Sequence, residues 1–123
     1  MLQVPLHFAQ VPFLLFDGGQ AVTFRLYIWP TLKAMRAANG RGVRDYAVGL
    51  CWQRKGRLFA SIHLAKTYLA HDVIIHECNH AAAQLRRLLH LDDDEHDEET
   101  NCEIAGLFAR LVVDEVRKVA EPV

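Results

Sequence analysis

In the first half of the chain, hydrophobic and polar residues alternate with the period of two that is typical of β-strands. Residues 11–16 form a short apolar run, a turn with two glycines follows, and residues 21–28 then alternate regularly. This pattern predicts a β-hairpin. A second hairpin is predicted from residues 46–52 and 58–64, because a polar loop containing Gly56 joins these two runs.

The second half of the chain has a helical pattern. A short helix is predicted at residues 31–38, between the two hairpins. From Thr67 onward, apolar residues recur at spacings of three and four, which predicts one long amphipathic helix that ends near His90. The acidic segment 91–99 is expected to be a solvated connection, and a last helix to run to about Val119. The chain is therefore expected to be an α+β protein, with antiparallel strands packed on two helices.

Composition limits the class of protein. With 123 residues, of which 51% are hydrophobic and 24% charged, the chain is expected to form one globular domain spanning residues 1–123. The 14 Lys and Arg residues are balanced by 15 Asp and Glu residues, so no nucleic-acid partner is expected. Three cysteines, no early basic residues and no long apolar stretch favour a cytoplasmic protein without a signal peptide or membrane span.

The predicted long helix contains His76-Glu77-Cys78-Asn79-His80, which has the spacing H-E-x-x-H. Residues four apart lie on the same face of a helix, so the imidazoles of His76 and His80 can reach one ion while Glu77 points to the side. Two histidine nitrogens on a rigid helix suit Zn²⁺. With this histidine content the motif arises by chance in roughly 2% of such chains. The alternative is a metal-free cluster in which hydrogen bonds satisfy the histidines.

A catalytic zinc ion needs a third protein ligand and an open position for water. Among the downstream acidic residues, a rotation of about 100° per residue places Glu103 beside the apolar face of the last helix, and Glu99 one turn earlier on nearly the same line. Glu98 points away. Glu103 is therefore the first candidate for the third ligand; Glu99 is the alternative ligand or a hydrogen-bond acceptor for a ligating imidazole.

The motif helix, the acidic connection and a following helix that carries Glu103-Ile104-Ala105-Gly106 resemble the gluzincin branch of the zincin metallopeptidases, in particular the small forms common in bacteriophage and bacterial genomes. The resemblance covers residues 58–119. It implies a zincin-like fold and a phage- or prophage-encoded zinc peptidase acting on peptides or proteins. His76, His80 and Glu103 or Glu99 would then be the zinc ligands, Glu77 the general base, and residues 58–64 the edge strand that faces the substrate.

Two questions stay open at this point. A non-catalytic zincin-like domain, in which zinc joins two helices and the surface binds a host or partner protein, is the alternative to a peptidase. The oxyanion stabiliser has no assignment beyond residue type, for which His63, Tyr68, Tyr46 and His96 qualify, although ordinary packing or exposure explains each of them as well. All three cysteines are expected to act as small hydrophobic residues rather than as ligands or nucleophiles.

Overall fold

The structure of the protein is a computed structural model that describes residues 4–14, 21–40, 43, 47–53, 58–88 and 98–119. Four strands and three helices follow one another along this part of the chain: β1 (His7–Leu14), β2 (Ala21–Trp29), α1 (Leu32–Asn39), β3 (Leu50–Gln53), β4 (Leu58–Ala65), α2 (His71–Leu88) and α3 (Glu98–Val116). A short 3₁₀ turn, Lys66–Tyr68, connects β4 to α2. The strands and helices confirm the α+β class.

The four strands form one mixed sheet in the order β1-β2-β4-β3. β1 pairs with β2 and β3 with β4 in antiparallel fashion, whereas the central strands β2 and β4 are parallel. The expected antiparallel pairing is therefore found in the two outer pairs of strands but not in the central pair. The reason is the crossover: after β2 the chain passes through α1 and returns along the edge strand β3, so that β4 enters beside β2 in the same direction.

The sheet separates two layers of helix. Alternate residues of the central strands, such as Phe24 and Ile62, are fully buried against α2 and α3. The rings of Phe24 and Phe108 lie 5.1 Å apart, which joins β2 to α3 in this core. On the opposite face, Asn39 at the end of α1 lies 3.3 Å from His63 of β4, so α1 covers the other side of the sheet.

The helix boundaries differ in part from the predicted ones. α1 begins after Thr31, whose hydroxyl accepts a hydrogen bond from the Ala34 amide, and ends at Gly40, whose φ is +74°. α2 begins at His71 rather than Thr67, because the 3₁₀ turn comes first. α3 begins at Glu98, within the predicted acidic connection, where carboxylates favour a helix N-terminus. Residues 91–97 lie outside the described part of the chain.

β4 is one of the two central strands of the sheet, and β3 is the edge strand beside it. The expectation that residues 58–64 form a substrate-facing edge was therefore wrong: that side of β4 is already occupied by β3. No helix within the described ranges has both the length and the apolar character required to cross a membrane.

Candidate metal centre

The two motif histidines meet on the surface of α2. The Nε2 atoms of His76 and His80 are 3.2 Å apart, and the two rings are nearly perpendicular, with an interplanar angle of 81°. Both side chains are exposed, so an ion could reach them from solvent. The arrangement follows from the sequence alone, because a spacing of four residues stacks two side chains on one face of an α-helix.

The distance between the histidines tests whether they fit a metal ion. Two histidine nitrogens bound to one tetrahedral zinc ion at their usual bond lengths are about 3.3 Å apart. The observed separation of 3.2 Å matches this value without any rearrangement of the helix. One potential ligand atom from each of His76, Glu77 and His80 falls within a cluster 4.8 Å across. A hydrogen bond between two imidazoles has a similar length, so the distance suits a metal-free pair as well.

Glu77 lies between the two histidines in sequence but points toward β3, and its side chain is only 5% exposed. Burial raises the pKa of this carboxyl, and the neighbouring His76 partly offsets the increase. A carboxyl group whose pKa is raised holds a proton more readily than an exposed glutamate does, which is the property required of a group that accepts and then returns a proton near neutral pH.

Gly49, just before β3, is in close contact with this carboxylate. A Cβ atom at Gly49 would lie 2.9 Å from Glu77 Oε2 and 2.9 Å from Cγ1 of the buried Val73. These distances are too short for any side chain, so only glycine allows the backbone to approach α2 so closely. A hydrogen bond of 2.8 Å from Arg36 Nε to the carbonyl of Ala47 helps to fix the segment that leads to Gly49.

Two cavities lie beside His76 and Glu77. These two residues are part of the lining of both cavities. One cavity, of about 550 Å³, is lined by Gly49, Leu50, Cys51, His76, Glu77 and His80. The other, of about 340 Å³, is lined by Val48, Asp72, Val73, His76 and Glu77. Together they form a cleft between α2 and the segment from Val48 to Cys51, with the histidines at its centre.

The structure does not bring Glu103 into this cluster. Glu103 is exposed on α3 and is not among the residues whose ligand atoms come together with the histidines. α3 packs beside a different side of α2, where Ile75 and Asp114 line a cavity between the two helices. The side chain of Glu99 lies outside the described part of the chain. The third ligand therefore stays a prediction.

The oxyanion candidates are not gathered at the site by the described geometry. His63 is buried on the α1 side of the sheet, where its Nδ1 accepts a hydrogen bond of 3.0 Å from Trp29 Nε1. Its ring also stacks on Tyr27, with 4.6 Å between the centroids. Tyr68 is exposed in the 3₁₀ turn, whereas Tyr46 and His96 lie outside the described residues. His63 is thus a structural histidine on the face opposite the cleft.

The cysteines differ more than expected. Cys78 is buried in the core as predicted, whereas Cys102 is exposed on α3, so its expected role as a core residue was wrong. Cys51 is half-buried and lines the larger cavity, a position that sequence reasoning missed. Burial, reinforced by the charge of Glu77, raises the pKa of the Cys51 thiol to about 12. Burial likewise raises the pKa of the Cys78 thiol to about 12, so both sulfurs are thiols rather than thiolates at neutral pH in the metal-free protein.

Comparison of the chain with protein-family models, with curated proteins and with solved structures finds no match in any of the three. Whatever is inferred about function therefore depends on the residues of the cleft themselves.

Proposed function

We propose that the protein is a zinc-dependent metallopeptidase whose site is the cleft around His76, Glu77 and His80. The observation that supports this most directly is the combination of two facing imidazoles at zinc-ligand distance with a buried carboxyl group on the same helix turn. Imidazole nitrogen is a preferred zinc ligand, and a carboxylate beside the ion is the usual proton acceptor for its bound water.

Each residue has a distinct role in the proposed reaction. His76 and His80 hold Zn²⁺, with Glu103 or Glu99 as the candidate third ligand. The ion, when bound, lowers the pKa of its water and polarises the scissile carbonyl. Glu77 accepts the proton of the attacking water on its carboxylate and delivers it to the amine of the leaving peptide. The raised pKa of Glu77 suits this double role, because the group must hold the proton between the two steps.

The substrate is proposed to be a peptide in an extended conformation. β3 is the edge strand of the described sheet. Val48 lines one of the cavities, and Gly49, Leu50 and Cys51 line the other. An edge strand offers backbone amide and carbonyl groups to which an extended peptide can add as a further strand. Gly49, just before β3, lies close to the Glu77 carboxylate, so a peptide aligned on β3 would begin near this group.

Metal analysis and a peptidase assay on variants test the proposal. Purified wild-type chain is expected to contain close to one equivalent of zinc and to cleave a mixed peptide library. His80→Ala should lose both properties, and His71→Ala should keep both, because His71 is an exposed histidine of the same helix that lies outside the cluster. Less than about a tenth of an equivalent of zinc after growth in zinc-replete medium would contradict the proposal.

A second candidate function is a zinc-binding domain that binds a partner protein without catalysis. It is favoured by the ligand set of the described residues, which consists of two imidazoles and one buried carboxylate without the carboxylate of Glu103. Glu77→Gln separates the two functions. A peptidase carrying this substitution should keep its zinc and lose about 10²-fold or more of its activity, whereas a binding domain shows no proteolysis before or after the change.

A further inference from the structure

The smaller cavity differs from the larger one in the charge of its lining. Both contain His76 and Glu77, but only the smaller one also contains Asp72, an exposed carboxylate in the first turn of α2. The remaining wall of the smaller cavity consists of Val48 and Val73. None of these described lining residues is a lysine or an arginine, so the cavity combines an apolar wall with negative charge.

We propose that this cavity is a specificity pocket for a lysine or arginine side chain of the substrate, with Asp72 as the group that recognises the cation. The inference depends on the proposed peptidase function, since it names the substrate class for the same site. The aliphatic stem of a basic side chain packs on the two valines, and its cationic head reaches the carboxylate at the rim.

The size and position of the cavity support this occupant. Its volume of about 340 Å³ is large enough to hold one long side chain. It opens beside His76 and Glu77, so the side chain it holds belongs to a residue next to the scissile bond. The larger cavity, lined by Leu50 and Cys51, has no carboxylate other than Glu77 among its described lining residues. A basic preference is therefore expected on one side of the scissile bond only.

Asp72 also has two other conceivable roles, each with its own signature. A carboxylate in the first turn of a helix is stabilised by the helix dipole, which would affect only stability. Asp72 also precedes His76 by one helical turn and could accept a hydrogen bond from the ring N–H that zinc binding leaves on this histidine. In that case its loss would weaken zinc binding by about 10- to 100-fold and leave substrate preference unchanged.

The test compares peptides that differ only by lysine or norleucine at each of the two positions flanking the scissile bond. With the zinc-loaded full chain, kcat/KM should favour lysine at one position by about two- to fivefold, the upper part of the range for an ion pair at an exposed carboxylate. Asp72→Asn should reduce this ratio to about 1 and leave the zinc content unchanged. Asp114→Asn is the matched control, because Asp114 is an exposed carboxylate on α3 that lines a different cavity, and it should keep the ratio.

Binding to Glu77→Gln, measured by fluorescence anisotropy with the same labelled peptides, provides a reading without hydrolysis. The same preference for lysine, lost on adding Asp72→Asn, supports the pocket even if no peptide is cleaved. Equal treatment of lysine and norleucine in both assays overturns the pocket, and cleavage of both then leaves the peptidase proposal intact. A lysine preference that survives Asp72→Asn, with or without loss of zinc, also overturns it.

Discussion

Gly49 shows how one residue without a side chain determines the geometry of the cleft. An added methyl group would meet Glu77 Oε2 and Val73 Cγ1 at 2.9 Å each. Because Val73 is buried and branched at Cβ, it has little room to move. Gly49→Ala is expected to destabilise the protein by about 1–3 kcal/mol and to reduce peptidase activity, since overpacking shifts either the strand or the carboxylate. Urea denaturation and the peptide assay measure the two effects.

Gly106 is the matched control for this substitution. It lies within α3, is exposed, and a Cβ added to it would meet no atom within 4 Å. Gly106→Ala is therefore expected to stabilise the protein by about 0.5–1 kcal/mol, as alanine does in an exposed helix interior. If both alanine substitutions changed stability in the same direction, the close contact at Gly49 would not explain the effect of Gly49→Ala.

The buried Glu77 should make stability depend on pH. Because its pKa is raised in the folded protein, the protonated form is favoured in that state, and this contribution is lost as the pH rises through the folded pKa. In the metal-free protein, Glu77→Gln should then have little effect at about pH 4 and stabilise the fold at about pH 8, by about 1 kcal/mol or less. Chemical denaturation in the presence of a chelator at both pH values measures the difference. A larger gain at the lower pH would contradict the assignment.

At the level of elements, His63 connects both central strands to α1. Its Nδ1 lies 3.0 Å from Trp29 Nε1 on β2 and 3.3 Å from Asn39 Nδ2 on α1. Trp52 of β3 joins the same network by donating to Asn39 Oδ1 at 2.9 Å. A buried acceptor shared by two donors holds α1 against this face of the sheet.

His63→Ala is therefore expected to destabilise the protein by about 2–4 kcal/mol, because it leaves the indole N–H of Trp29 without this acceptor and opens a cavity. Zinc content per folded molecule should not change, since His63 lies on the face opposite the cleft. Thermal denaturation combined with metal analysis separates these effects. A loss of zinc without a loss of stability would show that His63 belongs to the metal site instead.

The order of the strands and helices along the chain could be predicted from the sequence, but which strands are neighbours in the sheet could not. The period of two in β2 identifies Phe24 and Leu26 as the inward face, and both are buried. That pattern is the same whether the strand pairs in parallel or antiparallel, so it gave no information on the pairing of β2 with β4. Which strands pair with each other depends on the crossover through α1, and the paired residues are distant in sequence.

The same distinction between local and long-range contacts applies to the candidate site. His76 and His80 could be predicted because their relation is local, set by one turn of helix. Gly49 and Cys51 were missed because their place in the cleft depends on how β3 packs against α2, whereas Asp72, four residues before His76, could have been found from the helical spacing. The expected ligand Glu103 depends on how α3 packs against α2, which helical periodicity does not determine.

For the whole molecule, zinc binding should increase the free energy of unfolding. At zinc concentrations about 100 times the dissociation constant, an ion that binds only the folded chain adds about 2.7 kcal/mol, which raises Tm by several degrees. A chelator should reverse the increase, and His80→Ala should abolish it. A Tm that changes neither with zinc nor with chelator would indicate a metal-free pair of histidines.

The described residues that line the two cavities of the cleft lie between Val48 and His80. The described residues of β1, β2 and α3 contribute to the core on which this segment rests and are not in the lining. The described binding groups and the groove thus belong to one segment, β3-β4-α2, within which β3 and α2 meet through residues distant in sequence. Substitutions in β1 and β2 can accordingly alter stability or surface while the residues that line the cleft stay together in one segment.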